Sequence, residues 1–226
     1  NYLVTLITLP YLTRTLGVDQ YGALNLAISL IQYGVLFVTF GFNLSATQYI
    51  ARHRESSLLI SRAFWETITA KLILLGIAFT VLTIITLTIE GFYEVRWIIF
   101  ILFLQLIAAA IDPLWFFQGI EKLEKVSLIG SAIRVLNIPL LFWLVHSPDD
   151  VVIVAGIQAL IILLIALINL YLVKKEAIIK CIKYSQLRIT KALVTSLPLF
   201  IGAAAISLYN TSTPIILGLV NSYEEV

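Results

Sequence analysis

VVIVAGIQALIILLIALINLYLV, residues 151–173, contains no Asp, Glu, Lys or Arg. As a helix rising about 1.5 Å per residue, it is long enough to cross the ~30 Å hydrocarbon core of a bilayer. LILLGIAFTVLTIITLTI, residues 72–89, is likewise uncharged. These runs are symptoms of the whole composition: 60% of the 226 residues are hydrophobic and 12% are charged, with a mean hydropathy of +1.00. A soluble domain carries about 25% charged residues, so this chain cannot cover itself with polar surface. A membrane β-barrel would show short alternating segments, and none is present. The reading is an all-α, polytopic transmembrane helix bundle.

Seven spans are expected, the first of them partial. It ends near Tyr11, and the others cover about 22–42, 72–89, 97–117, 126–145, 151–173 and 192–220. The chain is expected to be an N-terminal fragment. It has no methionine, its opening NYLVTLITLPYL reads as the back half of a spanning helix, and SYEEV follows directly on a long apolar stretch.

The connections set the orientation. One set carries Arg52, Arg54 and Arg62, then Lys122 and Lys125, then Lys174, Lys175, Lys180, Lys183, Arg188 and Lys191; the opposite set carries Arg14 and Arg96. The bias is eleven against two and alternates with every span, which places the first set in the cytoplasm. Residues 174–191 form the one long connection and the sharpest composition shift, and are read as a basic cytoplasmic linker. That segment is either an amphipathic helix at the membrane surface or a solvated loop. It divides a six-helix lobe, 1–173, from the first helix of a second lobe, 192–226.

Polar residues within the spans fall in stripes. At roughly 100° per residue, Asn25, Ser29, Gln32, Thr39 and Asn43 lie near one line. Gln105 and Asp112 are seven apart, Gln158 and Asn169 eleven apart, and Ser127, Ser131 and Arg134 share a side. SLYNTSTP, residues 207–214, concentrates polarity around Asn210 in the last span. Such residues hydrogen-bond neighbouring helices at about 0.6–2 kcal/mol each. Stripes on several helices at once fit a shared water-filled cavity better.

Asp112 is the sharpest case, because a carboxylate at mid-helix costs roughly 2.5–3.5 kcal/mol on insertion. It lies about five residues, or roughly 8 Å, from the cytoplasmic end of its helix. Arg134 lies at comparable depth on the next helix, so the two are expected to face one cavity and to pair. The competing reading makes Asp112 a purely structural cap, since Asp-Pro favours a helix start; either way the helix should kink or restart at Asp112–Pro113. Arg134, with Arg14 and Arg52 flanking the first spans, suits an anionic ligand such as a phosphate. Lys71 is expected to snorkel to the headgroups, and Arg62 and Glu66 to form a helix-surface pair.

The chain contains no P-loop, dinucleotide-binding glycine pattern, HExxH or GxSxG. His53 and His146 stand apart in connections, and Cys181 is the single cysteine. Neither an enzyme, a cofactor, a metal site nor a nucleic-acid partner is expected.

Four stretches carry a resemblance: LPYLTRTLGVDQYG (9–22), FGFNLSATQYIAR (40–52), WFFQGIEKL (115–123) and AISLYNTSTPIILGL (205–219). Together they resemble the polysaccharide flippases, the Wzx-type or O-antigen transporter family, in the same superfamily as the MATE multidrug exporters. The resemblance implies about twelve helices in two lobes around a central cationic cavity, this chain being the first lobe plus one helix. It implies transport of an undecaprenyl-diphosphate-linked oligosaccharide from the cytoplasmic to the periplasmic leaflet of the bacterial inner membrane, beside other polysaccharide-assembly membrane proteins. By analogy with that cavity, Arg134 and Asp112 are the foremost substrate-site residues, then Arg52 and Arg14. The polar lining would be Asn25, Ser29, Gln32, Gln105, Gln158 and Asn210. The alternative is a MATE-type cation-coupled small-molecule antiporter. A polysaccharide polymerase or acyltransferase would need a reactive constellation, and none is visible.

Overall fold

A computed structural model describes the backbone of residues 2–176, 178–180 and 186–220, and the side chains of 6–176, 178–180 and 189–208. Among these residues the chain is helical, with no strand. Its helices are α1 (Tyr2–Thr39), α2 (Phe42–Arg52), α3 (Ser57–Thr88), α4 (Arg96–Ile111), α5 (Leu114–Gly119), α6 (Leu123–Val135), α7 (Asn137–Leu144), α8 (Val151–Lys175) and α9 (Gln186–Val220). Among the described residues, six stretches are long and apolar enough to cross a membrane: Leu6–Arg52, Ser57–Thr88, Arg96–Gly119, Leu123–Leu144, Pro148–Lys175 and Ile189–Leu208.

The first stretch contains both the expected partial span and the second span. Straight, its 47 residues would run about 70 Å, more than twice the hydrocarbon thickness. It is broken at Gly17 (φ 75°, ψ 171°), a conformation open essentially to glycine. A second break falls at Phe40–Gly41, where both φ angles are positive. Ahead of the first break, the Tyr11 hydroxyl donates to the Val145 carbonyl at 2.5 Å and its ring meets Phe142. This ties the opening segment to the connection before α8.

Prolines explain the other interruptions. α4 stops at Ile111, and Asp112 turns extended (ψ 116°), because the residue before a proline is disfavoured in the helical region. The helix restarts as α5, with the Leu114 N–H donating to Asp112 Oδ1 at 3.2 Å. The expected restart is therefore present, with Asp112 closing one helix and holding the start of the next. The expected span 126–145 is divided into α6 and α7 at Leu136. Pro139, inside α7, has no N–H to return to the Val135 carbonyl where α6 ends.

α4 is the hub, packed along α8 and α1. Fully buried alanines (Ala27, Ala108, Ala110, Ala155, Ala159 and Ala166) let these backbones approach, as is usual where helices meet inside a bilayer. Large apolar side chains such as Ile73, Ile84, Leu160, Trp143 and Ile201 point outward, where lipid suits them.

α3 begins well before the uncharged run at Leu72. The Ser56 hydroxyl caps it by accepting from the Leu59 N–H, and Ile60, Phe64 and Ile68 bury against Trp115, Phe116 and Phe117. The linker is not one surface helix in its described part: α8 runs to Lys175, 178–180 are non-helical, and α9 starts at Gln186. The Trp65 indole donates to the Lys180 carbonyl at 3.0 Å, and Ser61 donates to Ile178 and accepts from the Lys180 N–H. Residues 178–180 are thus held on α3.

Candidate functional site

Pro113 creates an acceptor as well as a break. In a continuous helix the N–H at position 113 would serve the carbonyl of Ala109, four residues back, and proline has none to give. Lys71 takes that carbonyl instead, its Nζ lying 3.3 Å away. The same ammonium reaches Asn43 Oδ1 at 3.4 Å and sits 5.9 Å from the Trp115 ring centre. Lys71 is 1% exposed, so the expectation that it snorkels to the headgroups is wrong. An ammonium buried this deeply costs several kcal/mol unless dipoles or an opposite charge compensate it. The acceptors from α2 and α4 and the facing aromatic ring supply that compensation.

Lys71 and Asp112 line one cavity of about 270 Å³. Gln32 and Thr39 come from α1, Gln105 from α4, Trp115 and Gln118 from α5, and the apolar wall from Ile162 and Ala166 of α8. Asp112 Oδ1 also accepts from Asn169 Nδ2 at 2.8 Å, while Asn169 Oδ1 is buried without a partner among the described residues. The cavity therefore combines one cation, one carboxylate and several amides inside an otherwise apolar bundle.

The expected Asp112–Arg134 pair is not formed. Sequential helices are not neighbours at this depth: α8 lies along α4, and α6 packs on α5, α7 and α8. Arg134 is instead exposed, and so are Ser127 and Ser131. Their stripe is intact but occupies an open face of α6, whose buried residues are Val126 and Gly130.

Of the other expected site residues, Gln32 and Gln105 join Asp112 in the cavity. Ser29 is buried one turn from Gln32, and Asn25 and Gln158 are half-buried away from the cavity walls. Arg14 and Arg52 are exposed and stand outside it, while the Asn210 side chain lies outside the described residues. Of the lining residues not expected in a site, Trp115, Gln118 and Lys71 among them, Lys71 carries the charge. A signal was available, since Phe64, Thr67, Leu74 and Ala78 are all buried on α3 and stand three, four or seven residues from it, tracing one helix face.

Two of the motif stretches are adjacent in space. α2 packs on α5, the Thr47 hydroxyl donates to the Trp115 carbonyl at 3.0 Å and Arg54 Nε to the Gly119 carbonyl at 3.0 Å. A Cβ on Gly119 would lie 2.8 Å from Ile50, so glycine is what permits this approach. Arg54 further pairs with Glu121 at 2.7 Å, and Lys122 pairs with Glu176.

A family of polysaccharide biosynthesis proteins matches residues 1–226. The chain is 35% identical, over 98% of its length, to an Escherichia coli K12 protein named "Putative O-antigen transporter", covering 53% of that protein. It is 30% identical, over 96% of its length, to a Shigella dysenteriae protein of the same name, covering 54% of it. The chain thus spans about half the length of these curated relatives. No solved structure matches it.

Proposed function

This chain belongs to the polysaccharide biosynthesis protein family, and from that premise we propose that it is part of a membrane flippase for a lipid-linked oligosaccharide. The substrate would be an undecaprenyl-diphosphate-linked repeat unit, carried from the cytoplasmic to the periplasmic leaflet of the bacterial inner membrane. The two relatives named as O-antigen transporters support this reading, and the basic bias of one set of connections supports placing 174–191 in the cytoplasm.

The observation that carries the reading is a guanidinium at mid-span on an open helix face. Arg134 lies near the middle of the stretch Leu123–Leu144, with Ser131 and Ser127 one and two turns away. Facing lipid there costs roughly 2.5–3.5 kcal/mol, which favours a wet passage instead. Arg134 would offer the diphosphate a bidentate contact. The Lys71–Asp112 cavity is too small for an oligosaccharide. Its role would be to hold the break at Pro113 and to set the shape of the lobe as the substrate passes.

Deleting the full-length gene tests this. Loss of surface polysaccharide, with lipid-linked repeats accumulating on the cytoplasmic leaflet, is expected; normal export rules the reading out. The charges of the Lys71–Asp112 cavity favour one competing reading, a cation-coupled antiporter of small molecules. Drug sensitivity of the deletion strain with intact surface polysaccharide would support that alternative.

A further inference from the structure

A second cavity, of about 400 Å³, opens between α2, α3 and α9. Its size lies within the roughly 300–1,000 Å³ usual for small-ligand pockets. Ser45 and Tyr49 of α2, Glu66 and Thr67 of α3, and Lys191 and Thr195 of α9 line it. Glu66 and Thr67 stand about one turn nearer the start of α3 than Lys71, so this cavity lies toward the end of the bundle bearing Arg52 and Lys191. Glu66 is half-buried in its wall rather than confined to the helix surface as its spacing from Arg62 suggested.

We propose that this cavity is a binding subsite for one uncharged sugar ring, with Tyr49 and Glu66 as its principal contacts. The inference rests on the flippase reading for its biological substrate, but its lining argues for a sugar independently. A sugar ring presents an apolar C–H face and a rim of hydroxyls. Tyr49 is 41% exposed and its ring is stacked on His53, centroids 4.3 Å apart. A held aromatic face of this kind is what the C–H side of the ring requires. A carboxylate only accepts hydrogen bonds, an ammonium only donates, and hydroxyls do both. Glu66, Lys191, Ser45 and Thr67 therefore offer a polyol rim every complement it needs.

Charge argues against the diphosphate here. Among the described residues of the lining, Glu66 balances Lys191, leaving no excess positive charge to hold an anion. α9 also closes the cavity: the Ser45 and Ser196 hydroxyls are 2.6 Å apart, and a Cβ on Gly41 would meet the Ser196 carbonyl at 2.9 Å. Any shift of α9 against α2 reshapes the subsite, which couples sugar occupancy to movement of that helix.

The test uses the purified full-length protein in nanodiscs and saturation-transfer NMR. The probes are glucose, galactose, rhamnose and N-acetylglucosamine, with inorganic pyrophosphate as the anionic control. At least one sugar should bind, tenfold or more weaker in Glu66→Gln and Tyr49→Ala, and near normally in Tyr49→Phe, which keeps the ring. Absence of sugar binding, equal binding by all variants, or displacement of the sugar by pyrophosphate would overturn the proposal. Export assays in the deletion strain separate the two ideas. If the wild-type gene restores export and both variants export and bind as wild type, the subsite is wrong and the flippase stands. If the wild-type gene fails to restore export, the flippase reading falls and the NMR result alone decides the subsite.

Discussion

Lys71 donates to the carbonyl of Ala109 across 3.3 Å, the carbonyl that Pro113 leaves without its helical partner. A helix break and a buried charge thus solve each other's problem. The freed acceptor would otherwise be unsatisfied in a dry interior, and the ammonium would otherwise lack a dipole to face.

Replacing Pro113 with Ala restores the N–H that the Ala109 carbonyl lacks. α4 should then run on into α5, and Lys71 should lose that acceptor. We expect export to fall at least tenfold with protein level unchanged. A cysteine placed at Gln118 should change its labelling rate, reporting the straightened segment; unchanged labelling and unchanged export would refute the coupling.

Lys71→Ala empties a fully buried site and should cost about 2–5 kcal/mol, as comparable large-to-small core changes do. Lys71→Met retains most of the volume without the charge. It should recover the part of that loss that comes from the cavity but stay about 1–3 kcal/mol below the wild type, because the Ala109 carbonyl is again left without a donor. Thermal unfolding in detergent separates the two variants. A Met variant as unstable as the Ala variant would show that the charge itself holds the lobe together.

Arg134→Ala should behave in the opposite way. The side chain is exposed, so stability should change by no more than about 0.5 kcal/mol, while export should drop tenfold or more. Full export by this variant would remove Arg134 from the passage.

Asn169→Ala deletes the amide that donates to Asp112 at 2.8 Å. Leaving that carboxylate short of a partner should cost about 1–3 kcal/mol. Combining it with Asp112→Asn should cost less than the sum of the two single changes, since both act on one contact. Additive losses in a double-mutant cycle would mean that the contact carries no energy.

Gly41→Ala meets two penalties at once. Its φ of 73° disfavours any side chain, and the added Cβ would lie 2.9 Å from both Leu199 Cβ and the Ser196 carbonyl. Left-handed backbone costs about 1–2 kcal/mol and overpacking about 1–3 more. The yield of folded protein should fall sharply, whereas Gly76→Ala, with open space around it, should be neutral or mildly stabilising.

The class of protein, the approximate spans and the stripes were legible in the one-dimensional record because their causes are local. Moving charge into hydrocarbon is penalised residue by residue, and helical period follows from position alone. That is why the uncharged run 151–173 and the restart at Asp112–Pro113 could be read before any fold was known. Neighbourhood is different. Period states which side of a helix a residue occupies, and leaves open whether that side meets protein, lipid or water. Folding laid α8 rather than α6 along α4, so Asp112 met Asn169 while Arg134 remained on an open face. Folding also turned Lys71 inward to a carbonyl that Pro113 had released, a contact between residues 38 positions apart that no local rule could pair.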